Sequence, residues 1–206
     1  MRYYRPEEIE KRSFEIIRGE MATSPPEEQL PVIMRVIHTT ADFDYESSLV
    51  FSRRAISCAQ KAIDRGAVFI TDTNMALSGI NKKALELTGC SAVCFMADKE
   101  VAKEAMERGM TRAAVSMEKA AEIRGKPLIF AIGNAPTALL RLADLISEGN
   151  ITPDLVIGVP VGFVNVIESK ERMTATADEY IVAAGRKGGS TVAAAIVNAL
   201  LYMKTR

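Results

Sequence analysis

Five short apolar runs, each closed by polar or glycine-rich residues, constrain this chain more than any other feature. They are Ala67-Val-Phe-Ile-Thr71, Ser91-Ala-Val-Cys-Phe-Met96, Leu128-Ile-Phe-Ala-Ile132, Leu155-Val-Ile-Gly-Val159 and Tyr180-Ile-Val-Ala-Ala184. Helical patterns lie between them, at about 75–87, 99–124 (two helices broken near Gly109), 136–148, 163–172 and 190–204. A strand that is apolar on both faces must be covered on both faces, and alternation with helices makes the sheet parallel. Right-handed crossovers then wind helices onto each side. The expected fold is α/β: a three-layer, doubly wound, five-stranded parallel sheet of the flavodoxin-like kind, with extra N-terminal helices.

Those extra helices occupy residues 1–64 and are expected to pack on, or extend from, an α/β core at 65–206, the whole forming one domain. Residues 6–21 read as a first helix, with Pro6 suited to its first turn and Glu7, Glu8 and Glu10 near its positive end. Thr23-Ser-Pro-Pro26 breaks it. A second helix begins with Glu27 and Glu28 in its first turn and ends near His38. Residues 46–64 read as a third, closed by Gly66.

The balance of 26 Lys and Arg against 26 Asp and Glu argues against a broad nucleic-acid footprint. No apolar run reaches the roughly 18–20 residues of a membrane span. The start, Met1-Arg-Tyr-Tyr-Arg-Pro6, is polar and lacks a signal-peptide core. Cys58, Cys90 and Cys94 make neither a disulfide framework nor a paired zinc pattern, and the strand cysteines read as buried structural thiols. Cytoplasm is the expected compartment.

In open α/β sheets, ligands bind beyond the carboxyl ends of the strands. The unusual residues collect there: Asp72 to Asn74, Gly133 to Thr137, Pro160 to Phe163 and Arg186 to Ser190. Gly185-Arg-Lys-Gly-Gly-Ser190 has the makings of an anion site. Glycine lets backbone approach a ligand, the following helix offers unpaired N–H groups, and Arg186 and Lys187 add charge. It also reads as a plain strand-to-helix turn, and it is neither a Walker loop nor a dinucleotide fingerprint. Gly133-Asn-Ala-Pro-Thr137 opens a helix, with Asn134 as a candidate cap. Asp72 could orient a partner group. Arg112, beside Thr111 near a helix start, is either an anion contact or a surface arginine. Glu168 and Lys170 read as a solvated helix face.

The one histidine is His38, within Arg35-Val-Ile-His-Thr-Thr-Ala-Asp42. At its reference pKa no other side chain here exchanges a proton near neutral pH. If the run is helical, Arg35 shares a face with it, so a permanent cation stands beside a titratable imidazole. The competing reading is a histidine that caps a helix end. One histidine argues against a His-based metal cluster, and no Gly-x-Ser-x-Gly elbow supplies a nucleophile.

Taken together, these stretches resemble the precorrin-8X methylmutase (precorrin isomerase, or cobalt-precorrin-8 methylmutase) family. The match runs over nearly the whole chain. It rests on Arg12-Ser-Phe-Glu-Ile-Ile-Arg18, the His38 run, Thr71-Asp-Thr-Asn-Met75, Thr111-Arg112 and Ile132-Gly-Asn-Ala-Pro-Thr-Ala-Leu139. Gly158-Val-Pro-Val-Gly-Phe-Val164, Glu168-Ser-Lys170 and the 185–190 loop complete it. The resemblance implies an isomerase of cobalamin biosynthesis that moves a methyl group from C11 to C12 of a corrin-type tetrapyrrole, giving hydrogenobyrinic or cobyrinic acid. It implies a flavodoxin-like homodimer with substrate near the subunit interface, and no organic cofactor. Its catalytic histidine falls on His38, and its substrate-contacting serine and arginine on Ser13 and Arg35.

The substrate so implied is a large apolar disc edged with carboxylates. Thr39, Asp72, Arg112, Asn134, Arg186, Gly188, Gly189 and Ser190 are the further expected contacts. The chemistry needs one proton donor or acceptor, which a lone imidazole can be. The run Thr39-Thr-Ala-Asp-Phe43 is more similar to members acting on the cobalt-containing substrate. Two other functions suit the same scaffold: a non-catalytic tetrapyrrole carrier, and a nucleotide-binding flavodoxin-like module using the 185–190 loop.

Overall fold

The structure, a computed structural model, describes residues 5–206; the first four residues of the polar opening lie outside the described residues. In chain order the elements are α1 (Pro6–Glu20), α2 (Leu30–Thr40), α3 (Tyr45–Ser48), β1 (Leu49–Phe51), α4 (Ala55–Asp64) and β2 (Val68–Thr71). Then come α5 (Asn74–Gly79), α6 (Lys82–Thr88), β3 (Ser91–Val93), α7 (Lys99–Glu107), α8 (Arg112–Ala120) and β4 (Leu128–Ile132). The last are α9 (Pro136–Ser147), β5 (Leu155–Gly158), α10 (Val166–Thr176), β6 (Tyr180–Ala183) and α11 (Ser190–Thr205).

The sheet runs β1-β6-β5-β4-β2-β3. All five expected strands are present and mutually parallel. Numbered among themselves from β2, they lie in the order 2-1-3-4-5, the flavodoxin-like order. Each strand reads as continuously apolar, yet its residues part strictly by parity. Phe69, Ile129, Ala131, Leu155, Ile157 and Ile181 enter one core, while Val68, Ile70, Leu128, Phe130, Ile132 and Val156 enter the other. That two-sided burial is why no alternation is visible in the letters.

The second core lies under α8, α9 and α10. The first lies under α11, whose Val192 to Val197 and Ala199 to Leu201 are all buried. A helix apolar on every side must be enclosed. Here the sheet covers one side of α11, and α2, α5 and α6 cover the rest. Of the N-terminal helices, α1 and α2 therefore form a further layer on α11, whereas α4 lies directly on β4 and β5.

Three boundaries depart from the sequence reading. The expected helix at 46–64 is interrupted by β1, which adds antiparallel to β6 with Leu49 opposite Ala183 and makes the sheet mixed and six-stranded. A three-residue edge strand is specified by its distant partner, so local periodicity cannot reveal it. The second helix starts at Leu30, leaving Glu27 and Glu28 in the preceding turn. The expected helix at 75–87 is two, because Asn81 caps a new start through its side chain on the Ala84 N–H.

At the crevice between β2 and β4 the order of strands reverses, and backbone comes very close to backbone. A Cβ added at Gly133 would lie 2.7 Å from Ser190 Cα and 2.8 Å from the Gly189 oxygen. These are main-chain atoms and cannot swing away. Gly133→Ala is expected to cost about 1–3 kcal/mol, the usual penalty of overpacking, read as a shift in the urea midpoint at unchanged slope. An unshifted midpoint would show that the two turns are not in contact.

Candidate active site

The strand ends meet around the loop 185–190. From β2, the Thr73 and Ser190 hydroxyls share a hydrogen bond of 2.8 Å. From β4, Gly133 packs on Gly189 and Ser190 as described. From β5, the Val159 oxygen accepts from the Gly189 N–H at 2.8 Å, and the Gly162 N–H donates to the Arg186 oxygen at 3.2 Å. A Cβ on Gly188 would fall 2.1 Å from the Val159 oxygen, so only glycine fits there. The loop leads directly into α11, whose first N–H groups have no acceptor within the helix.

Asp72, expected among the substrate contacts, is fully buried at the end of β2. One carboxylate oxygen accepts from the Gly133 N–H at 2.9 Å, and the other from Asn134 and Ala135 at 2.8 and 2.6 Å. Burial raises its pKa, and the same N–H donors oppose that rise. A group so enclosed holds the turn rather than touching a ligand. The Asp72 carboxylate, by accepting from this turn, stands where the Asn134 cap was expected: α9 has Ala135 as N-cap with no side-chain bond of its own, and Asn134 is exposed. Thr111 caps α8 through the Ala114 N–H and donates to the Thr137 hydroxyl at 3.0 Å, which sets the exposed Arg112 beside the start of α9.

His38 lies in the last turn of α2, which Ala41 ends in the left-handed conformation (φ 53°). The imidazole is exposed and lines a cleft of about 250 Å³ with Ser13, Ile17, Glu20, Ala41 and Phe43. Ser13 is thus brought to His38 from α1, its hydroxyl donating to the Ile9 oxygen at 2.9 Å. The Phe14 ring packs on the imidazole at 5.3 Å between centroids. Thr39 is exposed beside it and donates to the Arg35 oxygen at 2.8 Å.

Arg35 faces elsewhere. Its guanidinium bonds Glu10 at 2.5 Å and lies over the Phe14 and Tyr202 rings at 4.7 and 5.0 Å. It lines a separate apolar cleft of about 360 Å³ with Met34, Ala199 and Met203. The helix spacing holds, but Phe14 takes the place between Arg35 and His38 that the sequence reading left open to direct contact. Cys90 is buried, whereas Cys94 lies beyond the end of β3 and is half-buried.

Three features escaped the sequence reading. Lys170, read as solvated, is 2% exposed, while its neighbour Glu168 is exposed. The buried residues of α10 are Val166, Ser169, Lys170 and Met173, a helical stripe that was there to be read. Val161, Phe163 and Val164 stand in the open after β5, and the Arg186 guanidinium lies 5.6 Å from the Phe163 ring centre. Finally, Lys187 bonds Asp42 and Asp44 at 2.6 and 2.5 Å, tying the connector after the His38 helix to the loop after β6.

That clasp has a pH signature. The Lys187 ammonium beside Asp42 holds its carboxyl below the ordinary 3.8, and the two carboxylates hold Lys187 above its ordinary 10.5. A lowered acid contributes stability above its unfolded value and loses it as pH falls through the folded one; a raised base loses its contribution as pH rises through its folded value. Lys187→Met should therefore melt slightly below wild type between about pH 4 and 10, with the two curves merging in acid. The effect is small because the pair is solvated. Parallel curves at every pH would remove the clasp.

Known proteins match this architecture and sequence throughout. The precorrin-8X methylmutase family model matches residues 8–203. The cobalt-precorrin-8 methylmutase of Priestia megaterium is 45% identical over 196 residues, covering 95% of this chain and 87% of that protein. That of Salmonella typhimurium is 44% identical over 203 residues, covering 96% and 95%. The crystal structure of the precorrin-8x methyl mutase from Thermus thermophilus superposes with a TM-score of 0.88 at 38% identity, covering 96% and 97%. With the five parallel strands in flavodoxin order, His38 in an open cleft beside Ser13, and a family match across 8–203, the chain belongs to the precorrin-8X methylmutase family.

Proposed function

We propose that the chain is an isomerase that moves a methyl group from C11 to C12 of a corrin-type tetrapyrrole, precorrin-8X or cobalt-precorrin-8, in cobalamin biosynthesis. The observation that carries the mechanism is the placement of the one imidazole, exposed in a cleft that Ser13 also lines. Methyl migration round a conjugated ring needs no nucleophile and no hydride carrier. It needs a proton, or a strong hydrogen bond, delivered where electron density builds as the methyl moves. His38 gives that proton to a ring atom and takes it back, a role worth about 10²–10⁴-fold. Ser13 hydrogen-bonds the substrate beside it, and Thr39 borders the same helix end.

The rim of the substrate is acidic, and the chain meets it locally rather than with net charge. The Arg186 side chain and the Gly188-Gly189-Ser190 backbone hold carboxylates at one edge, with Arg112 and Asn134 across the β4 turn. Asp72 serves from behind, fixing that turn. Arg35 holds a further carboxylate by exchanging it for Glu10. Val161, Phe163 and Val164 offer apolar surface to the flat face of the macrocycle. The cleft at His38, about 250 Å³, is smaller than the usual small-molecule site and takes an edge of the substrate only. A homodimer with the site near the subunit interface supplies the remaining cover, and the enzyme works in the cytoplasm without an organic cofactor. The cobalt, where present, belongs to the substrate.

His38→Ala should lower turnover by at least about 100-fold while cobyrinic acid still binds within a few-fold of wild type. The visible spectrum after mixing with substrate measures the first, and absorbance titration the second. Isomerisation by the variant at near wild-type rate would remove His38 from the chemistry.

A further inference from the structure

Lys170 is a lysine in an unusual place. It is 2% exposed, projects from the buried stripe of α10, and has no carboxylate partner among the described residues. Its Nζ instead donates to the Gly185 oxygen at 2.8 Å and to the Lys187 oxygen at 2.9 Å. Burying an ammonium is costly, and neutral carbonyls offset that cost less well than a carboxylate would. A chain needing only to fill this space would do better with methionine.

The two carbonyls belong to the loop that leads into α11. In a trans peptide the C=O and N–H of one unit point in opposite directions. Drawing the Gly185 oxygen inward turns the Arg186 N–H outward, and drawing the Lys187 oxygen inward does the same for the Gly188 N–H. Among the described residues neither of these N–H groups has an acceptor. The loop thus presents two aimed donors on one side and a fixed positive charge beneath them. Gly188 lets the loop lie against the Val159 backbone, and the exposed Arg186 adds a cation beside it.

We propose that Lys170 is a positioning residue for substrate binding: it sets two peptide planes of the 185–190 loop so that the Arg186 and Gly188 N–H groups receive a peripheral carboxylate. The inference rests on the methylmutase reading and deepens it by assigning the second support of the anion loop. Lys170 touches no reacting atom. Burial brings its pKa down to about 8, which leaves the ammonium in place at neutral pH.

The test compares cobyrinic acid with its methyl ester, which keeps the macrocycle and removes the carboxylates. Lys170→Met should bind the acid about 10- to 100-fold more weakly, the loss expected of hydrogen bonds to a charged group. The ester should bind as to wild type, and kcat should change by less than about threefold while KM rises. Equal weakening of acid and ester, or an unchanged acid affinity, overturns the proposal. Lys170→Gln, which keeps one donor to the loop, gives the same comparison with a smaller loss if the methionine variant does not fold. Failure of the methylmutase reading shows separately, as wild-type protein that neither binds nor isomerises a corrin. In that event the amide resonances of Arg186 and Gly188 still decide, since Lys170→Met must move them and unmoved resonances refute the role.

Discussion

A buried carboxylate at the crevice of the sheet is the contact on which the site depends. Asp72 ends β2 and accepts three N–H groups from the turn that ends β4. Those two strands flank the point where strand order reverses, the one place where crossovers leave in opposite directions and open a gap. Without a tether the gap would be a loose pair of loops. The carboxylate closes it from below, Gly133 then packs on the backbone of Gly189 and Ser190, and the loop after β6 takes its position from that contact. Burial works against the charge and three charge-assisted hydrogen bonds work for it. The arrangement keeps both because an apolar side chain could not bind three backbone donors at once.

The site has two halves of different origin. The half proposed to hold anions is a property of the sheet, made by the tails of β2, β4, β5 and β6. The half proposed to transfer the proton is a property of the added helices, with His38 at the end of α2 and Ser13 on α1 lining one cleft. Lys187 joins the halves through Asp42 and Asp44, and Lys170 braces the loop from inside through its carbonyls. Two lysines thus hold one loop in opposite ways: Lys187 reaches outward from it to carboxylates in solvent, and Lys170 reaches its main chain from α10. Arg35, within the N-terminal layer, is engaged by Glu10 and by the Phe14 and Tyr202 rings.

Much of this was legible from the letters. The five parallel strands and their following turns are local patterns, and a doubly wound sheet places those turns together. Ser13, His38 and the 185–190 loop were singled out by residue type and by family resemblance. What escaped was of two kinds. β1 is too short to show a period and exists because β6 has a free edge. Lys170 was misjudged in exposure because a charged letter suggests solvent, and the partners of Asp72 were not foreseen; each is held inside by main-chain partners distant along the chain.

The sequence by itself determined the class of fold, the direction of the strands, and the scarcity of proton-transfer groups that makes His38 the candidate. Those follow from hydrophobic period, turn chemistry and composition, which are properties of neighbours in the chain. The tertiary structure alone decided which charges are spent and which are free: Arg35 spent on Glu10, Asp72 on a turn, Lys170 on a loop, Arg186 left open. The reason is that a charge's availability depends on what lies within a few ångströms of it. Here those neighbours are 15 to 63 residues away along the chain.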